Sequence, residues 1–194
     1  MIILPYREKL IQKNFFEYSF NEDEDFVPNK RLFNKLSSAE QYYLAENFNW
    51  DDGVDVLNWI VESKKCDKGT AALIFWKADP DFYMERTLES IEDYERGVFD
   101  LLQKILRKFN NDEFTRSKLK FDPIAAGYDT NVHSQHKIWE LPNELRCATK
   151  GMKPISLGGI QEFFWEWQRS QRLKKREKRK AKRKQSSRID RREL

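Results

Sequence analysis

Residues 42–83 read YYLAENFNWDDGVDVLNWIVESKKCDKGTAALIFWKADPDFY, and this stretch decides the fold. It holds Trp50, Trp59 and Trp76, a Trp50-Asp51-Asp52-Gly53 turn, a Cys66-Asp67-Lys68-Gly69-Thr70 turn, and the only strongly apolar run, Ala71 to Trp76. Ser37 or Ser38 is placed to cap a helix over Ala39–Phe48, because a short side-chain oxygen there satisfies one of the first free amides. Asn49 or Asp51 can cap a second helix, roughly Asp52–Ser63, with Val54, Leu57, Ile60 and Val61 on one face. Asp67 can cap a third, Lys68–Ala78, which is apolar almost all round and therefore central, and Pro80 is expected to stop it. At this spacing Trp50, Trp59, Phe75, Trp76 and Tyr83 read as core rather than as a ligand cage.

Outward from this block, Arg7–Tyr18 can form a short helix with Leu10, Ile11 and Phe15 inward. Asn21–Asp25 reads as an acidic loop, and Pro28 marks its end. On the other side, Leu88, Ile91, Tyr94, Val98, Leu102, Ile105 and Phe109 follow spacings of three and four and predict one long helix, Leu88–Phe109. Glu92 with Arg96 and Asp100 with Lys104 would pair on its wet side. Asp122-Pro123, Gly127, Pro142, Gly151 and Pro154 break residues 112–157 into loops with short helices or strands. A last helix is expected from Leu157 through Phe163, Phe164, Trp165 and Trp167, whose four aromatics cannot all face one side. The predicted class is mostly α. An N-terminal arm (1–28) precedes a compact multi-helix core (29–110), a loop-rich extension packed on it (111–168) and a basic tail (169–194).

Charge divides the chain. Residues 169–194 carry fourteen Lys/Arg against three Asp/Glu, +11, so residues 1–168 carry −7 within a net charge of +4. The acidic body and the basic tail need separate functional readings. Two cysteines, Cys66 and Cys147, are too few for a disulfide framework and fit a reducing compartment as small buried hydrophobes. The start lacks a basic region followed by a long apolar one, so no secretory signal is expected, and Ala71–Trp76 is too short to span a bilayer.

Asn49-Trp50-Asp51-Asp52-Gly53, then Cys66-Asp67-Lys68-Gly69-Thr70-Ala71, then Phe75-Trp76-Lys77-Ala78-Asp79-Pro80 resemble, in order and spacing, a bacterial family known as domain of unknown function 4274. The resemblance covers Tyr42–Tyr83 and brings no established activity with it. It implies a small cytosolic protein, some of whose relatives look like immunity proteins beside polymorphic toxins, and hence a partner-binding role.

Each chemical candidate has a plain structural counterpart. Asp51, Asp52, Asp55, Asp79 and Asp81 could hold a hard cation, yet Asp51, Asp52 and Asp67 sit at helix starts, and Asp79 precedes Pro80 at a helix end. Gly53 and Gly69 lie in neither a G-x-G-x-x-G nor a Walker pattern, and close helix packing explains them. His133 and His136 could ligate a metal with Asp129, Glu140 or Cys147, but match no known ligand spacing. No nucleophile elbow accompanies a Ser-His-Asp order.

The expected function is therefore a non-enzymatic cytosolic protein-interaction module with no cofactor and no metal. In its sharpest form it is an immunity-like protein that meets a basic toxin through an acidic surface. Glu22, Asp23, Glu24 and Asp25, with Glu89, Glu92, Asp93 and Glu95, are the expected contacts. The alternative is non-specific RNA or DNA binding through the tail by counterion release. Arg172, Lys174, Lys175, Arg176, Lys178, Arg179, Lys180, Lys182, Arg183 and Lys184 would carry it.

Overall fold

The computed structural model describes residues 1–16, 26–130 and 138–158. In chain order the elements are β1 (Ile2–Ile3), α1 (Pro5–Phe15), α2 (Lys30–Phe33), α3 (Ser38–Asn47), a 3-10 turn (Trp50–Asp52), α4 (Asp55–Glu62), α5 (Lys68–Lys77) and α6 (Pro80–Met84). A second 3-10 turn (Leu88–Ser90), α7 (Arg96–Asn110), α8 (Asn143–Arg146) and β2 (Ile155–Ser156) follow. Among the described residues the fold is mostly helical, and the sheet is a single parallel pair, β1 with β2.

α5 is the axis. Every residue from Gly69 to Trp76 is buried, as its all-round apolar surface requires, and α3, α4, α6 and α7 pack about it. α3 is capped as expected. Ser37 Oγ accepts from the Glu40 amide at 3.3 Å, and Glu40 returns the bond to the Ser37 amide at 2.7 Å. Glu40 is mostly buried. Burial alone would raise its carboxyl, but the Arg7 guanidinium and the Ser37 donors outweigh that and hold it below the ordinary range. The core is wider than residues 29–110, because Ile3, Ile11 and Phe15 at one end and Leu141 and Leu145 at the other belong to the same buried cluster.

The helix expected over Leu88–Phe109 starts eight residues later, at Arg96. Local side-chain bonds replace its first two turns. Thr87 and Ser90 cap each other through the Thr87 amide to Ser90 Oγ (3.0 Å) and Ser90 Oγ to the Thr87 carbonyl (2.9 Å). Glu95 accepts from the Glu92 amide at 3.3 Å, so the chain there has partners a helix would have denied it. Tyr94 and Leu88, expected inside, are exposed. Glu92–Arg96 and Asp100–Lys104 are not the pairs formed. Lys104 instead reaches Glu62 at 2.7 Å and Asn58 at 2.6 Å on α4.

Three further expectations are corrected. α4 begins at Asp55 rather than Asp52, because Gly53 turns the chain with φ +80°. α5 ends at Lys77, and Pro80 opens α6 at its first turn rather than only closing α5, since proline's missing amide is free there in any case. Cys66 is buried, but Cys147 is exposed. The helix expected through Phe163–Trp167 lies outside the described residues.

The extension is stitched onto the helices. Lys68 donates its amide to the Arg116 carbonyl at 2.8 Å, and Met152 donates its amide to the Lys118 carbonyl at 3.1 Å. The Thr149 hydroxyl donates to the Leu119 carbonyl at 2.9 Å and accepts from the Phe121 amide at 2.8 Å. The Trp76 indole N–H donates to the Leu145 carbonyl at 2.8 Å, and β2 closes on β1 with Ile2 opposite Ile155.

Candidate partner-binding face

The buried carboxylate of Asp67 is the densest polar junction, and its role is architectural. Oδ1 accepts from Gly69 at 3.0 Å and from Leu119 at 3.2 Å, while Oδ2 accepts from Lys118 at 2.7 Å. One side chain thus caps α5 and anchors the crossing segment. Gly69 is required by that crossing: a Cβ there would lie 2.1 Å from the Leu119 carbonyl oxygen. The close approach expected at Gly69 is thus to an extended segment, not to a helix. Thr70, Phe75 and Trp76 are buried in α5, and Pro80 is buried at the start of α6.

The first polar turn is equally structural. Asn49 Oδ1 accepts from the Asp51 amide at 3.3 Å, and its amide group donates to Asp52 at 3.0 Å. Trp50 is half-buried against the core. Gly53 has open space where a Cβ would go, so its positive φ, not packing, explains it. Asp79 sits in the left-handed region at φ 52°. Among the described residues no three His, Cys, Asp or Glu side chains gather as a metal site. His133 and His136 lie outside the described residues.

The expected acidic contacts separate. Glu22, Asp23, Glu24 and Asp25 lie outside the described residues. Glu89, Glu92 and Asp93 are exposed together on the loop before α7. Glu95 is not a surface contact. It is buried, pairs with Arg86 at 3.0 Å and holds the Glu92 amide. Arg86 in turn lies 3.7 Å from the Phe82 ring centroid. On this loop Ile91 is buried in the core, and Leu88, Glu89, Glu92, Asp93 and Tyr94 are exposed. Tyr94 is 83% exposed among Glu89, Glu92 and Asp93, and Leu88 is half exposed.

The loop borders a groove of about 820 Å³ between Arg86–Leu88, one face of α7 and the segment Ile138–Glu140. Phe99 and Leu106 of α7 line it on one side and Trp139 on the other. The Trp139 ring meets Phe99 at 5.3 Å, edge to face, and the Ile138 amide is tied to the Met84 carbonyl at 3.0 Å. Sequence reading missed Tyr94 and Leu88 because both fit a helical spacing. Thr87 does cap a turn at Leu88–Ser90, but that turn is 3-10 and stops at Ser90, which no spacing in the sequence shows. The tail residues Arg172–Lys184 lie outside the described residues. Among the described residues no helix is long and apolar enough to cross a membrane.

A family model described as a domain of unknown function (DUF4274) matches residues 37–110. The match runs from the cap of α3 to the last residue of α7. No curated protein and no solved structure matches the chain.

Proposed function

We propose that this chain is a non-enzymatic, cytosolic protein-interaction module that binds a basic partner through the acidic loop at 88–94 and the groove beside it. In its sharpest form it is an immunity-like protein that occludes a basic toxin surface. The observation that carries the reading is Tyr94, 83% exposed beside three exposed carboxylates on a loop tied back by the Arg86–Glu95 pair. A large amphipathic ring costs little entropy to immobilise and is a favoured interface anchor. The surrounding acids steer a cationic partner and penalise an anionic one.

The test is co-purification from the protein's own cells at low and high salt. It compares the full chain, a 1–168 truncation, and Tyr94→Ala combined with Glu89→Lys, Glu92→Lys and Asp93→Lys. The reading expects one basic protein retained by the full chain and the truncation, and lost by the quadruple variant and in high salt. Retention by the quadruple variant sinks it. A second reading, polyanion binding by residues 169–194, rests on their +11 balance. It predicts nucleic acid that travels with the full chain and is absent from the truncation.

A further inference from the structure

A second cavity, of about 470 Å³, lies on the other side of α5, between α3, the C-terminal end of α5 and the segment 120–128. Its volume is in the range of small-molecule sites. Its wall is aromatic. The Tyr128 ring leans on Trp76 at 5.6 Å and 35°, and Phe121 sits 6.3 Å from Tyr128.

Its polar lining is cationic although the body of the chain is acidic. Lys77, Lys120 and Lys153 face it with Glu46 and Asp122. Glu46 pairs with Lys153 at 2.6 Å, so an anion at the rim competes with Glu46 for that lysine, and Asp122 Oδ1 accepts from the Ala125 amide at 3.1 Å.

Lys77 is the key group. Its ammonium donates to the Glu46 carbonyl at 2.6 Å, which caps the C-terminal end of α3 and uses one of three donors. The carbonyl is neutral, so the charge is balanced only in part, by the nearby Glu46 carboxylate. Half-burial strips water from that charge and pulls its pKa down, partly offset by the Glu46 carboxylate. A dehydrated ammonium with spare donors, beside two more lysines and a wall of rings, is complementary to an anion with a flat body.

We propose that this cavity binds a small organic anion carrying one planar ring, with Lys77, Lys120 and Lys153 holding the anionic group and Tyr128 and Phe121 the ring. The anionic group could be a phosphate ester or a carboxylate, and separate probes distinguish them. The site is independent of the acidic face, so either can fail alone.

The experiment titrates the full chain, by calorimetry and tryptophan fluorescence, with adenosine 5′-monophosphate, 4-hydroxybenzoate and inorganic phosphate in turn. One ringed probe is expected to bind one to one, with inorganic phosphate at least tenfold weaker. Lys77→Met and Lys153→Met should each weaken the ringed probe at least tenfold, and Lys9→Met, on the exposed side of α1, should leave it unchanged. Should Lys77→Met fail to fold, Lys153→Met decides, because that lysine lies at the rim and is largely exposed. No binding of either ringed probe at millimolar concentration, or wild-type affinity in Lys153→Met, overturns the proposal. Inorganic phosphate binding as tightly as a ringed probe also overturns it.

Discussion

Asp67 shows what one side chain does in this protein. Its carboxylate is the acceptor for three backbone amides, two of them from a segment about fifty residues away. Asp67→Ala orphans three donors, each costing about 1–3 kcal/mol when buried. A loss on the order of 3 kcal/mol or more is expected in urea unfolding, and a loss below about 1 kcal/mol would contradict the role. The cysteines give a second residue-level prediction. Burial pushes the Cys66 thiol up to about 12, whereas Cys147 is exposed. One thiol should therefore react with a disulfide reagent in the native protein and two after denaturation.

The same buried groups set an alkaline limit. Burial raises both Cys66 and Tyr42, so each stays protonated in the folded chain after the unfolded chain has ionised. Their contribution is complete below the unfolded values of roughly 8.5 and 10, and is lost as pH rises toward the folded ones. Lys77, with its lowered pKa, works in the opposite direction below its usual value. The unfolding free energy is expected to fall by more than about 1 kcal/mol between pH 8 and pH 11, with a shallower fall in Cys66→Ala. A flat profile would show that these groups are not dehydrated in the fold.

At the scale of elements, the two glycines of the polar turns separate two kinds of constraint. Gly53 is held by its φ of +80° and ψ of −168°, a region nearly closed to other residues, with open space around it, so Gly53→Ala should cost about 1–3 kcal/mol of backbone strain. Gly69 is held by the Leu119 carbonyl, where a methyl group has no room, so Gly69→Ala should cost more, because the crossing backbone itself must move. Thermal unfolding of the two variants side by side tests the order, and equal shifts would remove the crossing segment from the explanation. The α3 cap at Ser37 was legible because a hydroxyl three residues before a glutamate has few other uses. The start of α7 was not. Leu88, Ile91 and Tyr94 continue its spacing, and periodicity cannot see that Glu95 turns back to Arg86 and the Glu92 amide.

For the whole molecule, the proposed interface should be separable from stability. Tyr94→Ala removes a largely exposed side chain and should leave the melting temperature within about 2 °C, since such surface changes stay within about 0.5 kcal/mol. It should nonetheless weaken partner binding by about 2 kcal/mol, roughly thirtyfold. Reversing Glu89, Glu92 and Asp93 should act mainly on association rate and flatten its dependence on salt. Glu95→Gln should do the reverse: it breaks the pair with Arg86 and lowers stability, affecting binding only through the loop. Binding kinetics beside unfolding curves distinguish the two classes.

The sequence by itself determined the helices from residue 37 to 77, the centrality of α5 and the structural role of its capping aspartate. These follow from short-range rules: a cap lies within three residues of the amide it serves, and a helix apolar all round has nowhere to go but inside. It also showed an acidic body and a basic tail, because net charge needs no coordinates. Tertiary structure alone decided that Asp67 binds the 118–119 segment as well as α5, that Tyr94 faces out while Glu95 turns in, and that Lys77, Lys120 and Lys153 converge on one cavity. The first and last of these depend on loop closures spanning tens of residues, and the second on side-chain bonds from Glu95 to Arg86 and the Glu92 amide; neither kind leaves a periodic trace in the chain.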